Sequence, residues 1–289
     1  MWKYVNPGYG ELLDEKLGTT PNKTYNPTNG VCIGGQTNYG AISLPNLQEV
    51  YIKCNVYFRN KYADNGNYFN IKVYKDTKNL GLFKQDYGYL GMLFEDETSE
   101  NVMNFNDRQL YSVVLHIKVG VKGVIELYVD GTLIKTYNQQ ISFSNIDAVK
   151  IRAQVDYISN IIISDQDIRH ESVLVVPLGE PTGTWSGISD GEAKATEVDQ
   201  VLTQSLKIDD IKNTVGTNTV TSVNVAAFDI RYDSDKVNAM EASITKDGSN
   251  LTSATKSITN SAITPVTFIK NMTIDNLANT SVSFKAKKV

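Results

Sequence analysis

The chain has 289 residues, a formal net charge of −4, two cysteines and two histidines. That length accommodates two ordinary domains, or one large all-β unit, with a substantial core. The acidic balance argues against a large cationic surface for nucleic acid. No apolar run approaches the roughly 20 residues of a membrane helix. The start, Met1-Trp2-Lys3-Tyr4, lacks the apolar stretch of a secretory leader. The chain therefore reads as made in a cytoplasm, with no membrane insertion and no nucleic-acid partner.

In chain order, the first predicted strands are Gly40 to Ser43, Glu49 to Phe58, Tyr68 to Tyr74, Leu80 to Lys84 and Tyr89 to Phe94. Within the second of these, Tyr51-Ile52-Lys53-Cys54-Asn55-Val56 alternates with period two, and Asn65-Gly66 marks a turn before Tyr68. The densest signal lies between Tyr111 and Asp165. A strand at Tyr111 to Val119 precedes Val124 to Val129, the Asp130-Gly131 pair suits a type I′ turn, and Thr132 to Tyr137 returns. Ala148 to Val155 and Ile158 to Ser164 complete the same sheet system, and helical periodicity is absent throughout.

Tyrosine divides the chain, since 15 of its 16 tyrosines precede residue 180 and only Tyr232 follows. The change coincides with Val176-Pro177-Leu178-Gly179-Glu180-Pro181, a stretch with the composition of a linker. Two domains are expected, 1–179 and 180–289. In the second, Val201 to Ile208, Ser222 to Tyr232, Ala242 to Lys246, Thr252 to Thr259, Thr264 to Lys270 and Val282 to Ala286 read as short strands. Thr203 to Val215 leaves room for a short helix instead.

The run Tyr111 to Ile117, the segment Gly123 to Gly131 and the strand Ile158 to Asp165 together resemble the laminin-G/concanavalin-like superfamily. The resemblance implies an all-β fold: an N-terminal jelly-roll sandwich, of a kind often used to bind glycans or proteins, followed by a smaller β-sandwich. Trp185-Ser186-Gly187, Asp190-Gly191-Glu192 and Val220 to Arg231 leading to Ala242 to Gly248 resemble a domain of tailed-bacteriophage virion proteins. That resemblance implies a virion location, docking on other virion subunits, and a homo-oligomer.

Catalytic and metal signals are sparse. Gly187-Ile188-Ser189-Asp190-Gly191 matches a nucleophile elbow as a string, but both histidines lie upstream of Ser189, and the flanking strand and helix are missing. Glu95-Asp96-Glu97 is the nearest thing to a glycosidase carboxylate pair and reads as an acidic turn. With His116 and His170 the only histidines, a zinc or redox site has almost nothing to use. Calcium is left open, with Asp64, Asp86, Asp96, Asp130, Asp156 and Asp165 as scattered oxygen donors in no ligand motif. Cys32 and Cys54 are either one disulfide or two buried free thiols, the latter being favoured.

Tyr62, Tyr68, Tyr87 and Tyr89 flank turns rich in Gly and Asn, where ring faces can stack on sugars, and these four are the candidate ligand-binding residues. The expectation is a non-enzymatic phage virion protein, tail-associated, whose N-terminal sandwich binds a host-surface glycan and which needs no cofactor. The alternatives are a capsid or collar decoration protein, or a glycan-active enzyme on a concanavalin-like fold, for which a carboxylate pair is lacking.

Overall fold

The computed structural model describes residues 2–6, 13, 17, 19–21, 26, 29–34, 39–59, 69–85, 88–154, 156–176, 178–187, 195–209, 219–220, 223–227, 236–247, 249–257, 264–268, 272–273 and 277–289. The elements described in them are β-strands. Among the described residues no helix is long and apolar enough to cross a membrane. The chain divides into two units, Met1–Val175 and Val176–Val289.

The first unit contains β1 (Trp2–Asn6), β2 (Thr19–Pro21), β3 (Val31–Gly34), β4 (Gly40–Leu47), β5 (Glu49–Phe58), β6 (Phe69–Lys75) and β7 (Lys78–Gln85). There follow β8 (Tyr89–Leu93), β9 (Ser99–Asn104), β10 (Gln109–Lys118), β11 (Gly120–Val129), β12 (Thr132–Ile141), β13 (Ile146–Ala153) and β14 (Tyr157–Ser164). They form two sheets. One has eight strands, in the order β12-β11-β10-β5-β14-β3-β2, with β1 also on β14; the other has six, in the order β4-β13-β6-β7-β8-β9.

Alternation explains why the sheets face each other. In β5, Val50, Ile52, Cys54, Val56 and Phe58 are buried while Tyr51, Lys53, Asn55 and Tyr57 are half-buried on the opposite face. The buried set meets Ile71, Val73, Leu80, Leu82, Leu90 and Met92 of the six-stranded sheet in one hydrophobic core. A slip of one residue would turn these apolar sets outward. The hairpin at Asp130-Gly131 has φ of 49° and 79°, the positive values a type I′ turn requires. Asp130 also accepts a hydrogen bond from the Ser112 amide at 2.8 Å, so it fastens the turn to β10.

One polar link crosses this core. Lys84, on the core face of β7, is 3% exposed, and Asp156, in the connection from β13 to β14, is 0% exposed. Lys84 Nζ donates to Asp156 Oδ2 at 2.8 Å and to Oδ1 at 3.0 Å, and the Arg59 amide donates to Oδ1 at 2.9 Å. The ammonium also lies 5.8 Å and 5.5 Å from the ring centroids of Phe58 and Phe105. The pair joins the six-stranded sheet to the end of β5 in the eight-stranded one.

The second unit contains β15 (Thr182–Gly183), β16 (Val201–Ser205), β17 (Thr219–Val220), β18 (Val223–Ala227), β19 (Ala239–Lys246), β20 (Ser249–Ser257), β21 (Thr264–Phe268), β22 (Met272–Thr273) and β23 (Thr280–Lys287). Five of them make a sheet in the order β15-β16-β23-β19-β20, and β17 with β22 and β18 with β21 form two short ladders.

Several expectations shift. Ala148 to Val155 was grouped with the neighbouring runs, yet β13 belongs to the six-stranded sheet, because the chain changes sheets at Asp156. Strands β1, β2, β3 and β9 carry no strong alternation and were not read. The Asn65-Gly66 turn lies outside the described residues. Thr203 to Val215 begins as the end of β16, and its part from 210 onward also lies outside them. Cys32 and Cys54 are buried free thiols, and burial pushes them up to about 11 and about 12 respectively.

Asp156→Asn is expected to cost the first unit roughly 3–5 kcal/mol, because it removes the charged half of a buried ion pair. Urea unfolding measures this, and a cost under about 1 kcal/mol would show that the pair does not hold the crossover.

Candidate functional site

The six-stranded sheet turns a second face away from the core, and its composition is unlike that of an ordinary solvated face. Residues directly paired across an antiparallel sheet share a face. Lys150 on β13 is opposite Lys72 on β6, which is opposite Gly81 on β7. One step along, Arg152 is opposite Asn70, Asn70 is opposite Phe83, and Phe83 is opposite Gly91 on β8. Tyr74 and Tyr89, two positions from Lys72 and Gly91 on their strands, lie on the same face, and Tyr39 joins it just before β4.

Lys72, Tyr74, Phe83, Tyr89, Lys150 and Arg152 are all half-buried. Gly91 supplies room: a Cβ there would lie 2.8 Å from the Phe83 ring, so the ring rests against the backbone of β8. The cations lean on rings, with Lys150 Nζ 5.0 Å from the Tyr74 centroid and the Arg152 guanidinium 5.6 Å from that of Tyr39. Arg152 Nη2 donates to Gln154 Oε1 at 3.0 Å, while its Nε is buried with no acceptor.

Electrostatically the face is unbalanced. Among the described residues, Lys72, Lys150 and Arg152 form no ion pair with a carboxylate. Burial holds the Lys72 ammonium below its ordinary range, against a weaker opposing pull from Glu97. Burial, with the neighbouring Tyr39, holds the Tyr74 phenol above its ordinary range.

The eight-stranded sheet offers the contrast. On its outer face His116 sits between Glu126 Oε2 and Glu49 Oε1, each at 2.9 Å, and stacks on Tyr51 with centroids 4.0 Å apart. Tyr128 donates to Glu126, and Arg169 is held by Asp167 and lies over the Tyr128 ring. Lys53 donates to the carbonyls of Arg169 and Glu171 at 2.7 Å and 2.6 Å. These charges are matched and covered by residues 167–173, so the cluster reads as structural.

A groove of about 510 Å3 lies between the edge strands β9 and β12, lined by Phe94, Glu95, Asp96, Glu100, Tyr137 and Gln139 among others. It contains the acidic turn read from the sequence. Burial raises Glu95, but hydrogen bonds from Ser142 and Lys78 outweigh it and hold the carboxyl low. Thr98 does the same for Asp96, and Lys135 for Glu100. A two-carboxylate glycosidase needs one partner kept protonated, and these three carboxylates are all held in the ionised form.

Of the four tyrosines expected to bind ligand, Tyr89 lies on the basic face, while Tyr62, Tyr68 and Tyr87 lie outside the described residues. Of the aspartates considered for calcium, Asp64 and Asp86 also lie outside them. Asp96, Asp130, Asp156 and Asp165 are engaged by Thr98, Ser112, Lys84 and Lys3 respectively. Among the described residues no group of three His, Cys, Asp or Glu side chains could hold a metal ion. Lys72, Tyr74, Lys150 and Arg152 were missed from sequence. Their only signal is that Lys72-x-Tyr74 and Lys150-x-Arg152 share a period-two pattern on strands that end up adjacent.

No family model matches the chain, and no curated protein matches it. Among solved structures it is similar to an endo-β-1,4-glucuronan lyase from the fungus Trichoderma reesei, at 8% identity and a TM-score of 0.41, over 57% of this chain and 96% of that one. It is also similar to the cellulose induced protein Cip1, at 15% identity and a TM-score of 0.40, over 57% and 91%. A sialidase is similar over 70% of this chain but only 20% of its own length, at 12% identity and a TM-score of 0.37. The likeness is one of all-β sandwich architecture. The expectation of a non-enzymatic phage virion protein, whether tail-associated or a capsid or collar decoration, is corrected here. The neighbours found are sialidases, polysaccharide lyases and a cellulose-induced protein, and the statement that the chain is no enzyme falls with it.

Like charges directly opposite on a sheet destabilise it by roughly 0.2–1 kcal/mol. Lys150→Met is therefore expected to leave the first unit as stable or more stable by that amount in urea unfolding. A loss of more than about 1 kcal/mol would show that Lys150 is a structural residue.

Proposed function

We propose that this is a carbohydrate-directed protein, with a first unit of the concanavalin/laminin-G jelly-roll kind and a smaller β-sandwich after it. Its first unit engages a glycan on the outward face of the six-stranded sheet. The observation that carries the reading is one face of that sheet, on which the rings of Tyr39, Tyr74, Phe83 and Tyr89 alternate with Asn70, Lys72, Lys150 and Arg152. Flat rings cover the apolar faces of sugars, and amides and cations bond the hydroxyls and charged groups between them. Gly91 lets the Phe83 ring lie flat against β8, which keeps that ring close to the plane of the sheet.

A second reading, cleavage of the bound glycan, is favoured by Lys72 and Tyr74. They stand two positions apart on one strand face, the amine pushed toward its neutral form and the phenol toward its protonated form. Those are the two roles that acid–base bond cleavage divides between its residues. Such chemistry does not require the carboxylate pair whose absence argued against an enzyme.

Titration of the whole chain against a panel of polysaccharides, with release of reducing or unsaturated ends followed in parallel, tests both readings. Tyr74→Ala and Tyr89→Ala should each weaken binding by a few-fold to about tenfold. Tyr74→Phe should retain binding and lose any cleavage. Unchanged affinity in both alanine variants would remove this face as the site.

A further inference from the structure

Resting on that reading, we infer that the glycan taken by the six-stranded sheet is anionic, a polysaccharide bearing carboxylates, with one carboxylate seated among Lys72, Lys150 and Arg152. The fold leaves a local positive charge without an ion-pair partner among the described residues. The chain as a whole carries a net charge of −4, yet three cations share one half-buried face and none of them forms an ion pair with a carboxylate among the described residues, Glu97 acting on Lys72 only as a lesser pull.

Their placement is set by register. Lys150 and Lys72 are directly opposite, so their Cβ atoms are about 4.5–5.5 Å apart. Arg152 follows two residues along β13, about 7 Å from Lys150. Lys150 leans on Tyr74 and Arg152 on Tyr39, so one carboxylate reaches all three only when these flexible side chains swing onto it. Nearby surface lysines are treated differently: Lys75 pairs with Asp147 at 3.0 Å, Lys78 with Glu95 at 3.0 Å and Lys135 with Glu100 at 2.8 Å. The fold thus pairs the cations on the rim and leaves unpaired the three on the floor.

Carboxylate is favoured over other anions by the groups that surround the cations. The planar guanidinium of Arg152 suits a carboxylate, and among the described residues only its Nη2 is engaged, by Gln154, while its Nε is buried. Tyr39 and Tyr74, against which Arg152 and Lys150 rest, give the sugar ring an apolar wall beside its charge. Burial holds Lys72 below its ordinary range, and an anion seated beside it would oppose that shift.

The test uses the full chain and two polysaccharides of one backbone, a polyuronate and its carboxyl-reduced neutral counterpart, with a sulfated glycan and a single-stranded oligonucleotide as further probes. The polyuronate should bind at least about tenfold more tightly than its neutral counterpart, and added salt should weaken it. Lys72→Gln and Lys150→Gln should each lose about tenfold toward the polyuronate and little toward the neutral chain. Arg152→Lys should retain more affinity than Arg152→Gln, and Lys122→Gln, on the other sheet, should change nothing. Thermal melts of each variant separate lost binding from lost folding. Equal affinity for the charged and neutral chains overturns this inference and leaves the glycan reading standing. Tighter binding of the sulfated glycan or the oligonucleotide also overturns it. Binding of no polysaccharide at all overturns the glycan reading itself.

Discussion

The contact on which the candidate site depends is the buried ion pair of Lys84 and Asp156. The strand that carries Lys150 and Arg152 runs in one sheet, and the strand after it runs in the other. Asp156 sits at the change, bound by Lys84 from the first sheet and by the Arg59 amide at the end of β5 in the second. Buried pairs of this kind add little net stability over an apolar substitute, because desolvation offsets the attraction. Their value is positional. The buried carboxylate meets both an ammonium and an amide just past the end of β13, whose ladder with β6 sets Lys150 against Lys72. The aromatic cage of Phe58 and Phe105 around Lys84 narrows the choice further.

Two polar clusters on opposite sides of the sandwich show how the same residue types take different parts. Around His116 the acids and bases are interleaved, so hydrogen bonds close on one another and nothing is left for an outside partner. Around Lys72 no acid among the described residues closes an ion pair, and Glu97 exerts only a lesser pull. Like charges set side by side in a half-buried place oppose folding, and natural sheets normally avoid them by placing opposite charges across strands. Where stability is given up in this way, the arrangement answers to something other than folding. The acidic groove at β9 and β12 is an intermediate case, in which Ser142, Lys78, Thr98 and Lys135 quieten carboxylates that would otherwise resemble a catalytic set.

Much of the architecture was legible because it rests on local pattern. The alternation of β5 gave its limits, and Asp130-Gly131 gave the β11 to β12 hairpin, since both signals depend on neighbours in sequence. The assignment of β13 to the opposite sheet was not legible, because it depends on a contact between residues 72 positions apart. The site was read least well, for a related reason. Lysine and arginine at alternate strand positions look like any solvated face until one knows which strands lie side by side. Tyr89 stands beside a glycine-rich turn, and Tyr39 carries the same mark in Gly34-Gly35-Gln36-Thr37-Asn38-Tyr39-Gly40, whereas Tyr74 has none. Paired carboxylates leave a recognisable sequence pattern, whereas a set built from cations and phenols on separate strands leaves none.

The buried thiols bear on how the molecule is held together. Cys32 on β3 and Cys54 on β5 lie in the same sheet with β14 between them, and they remain unlinked. Burial keeps both protonated near neutral pH, and a neutral thiol is a poor nucleophile. The sandwich is held together without a disulfide between them. Its two sulfur atoms become reactive only when the sheet opens, so their rate of alkylation would report how often the interior meets solvent.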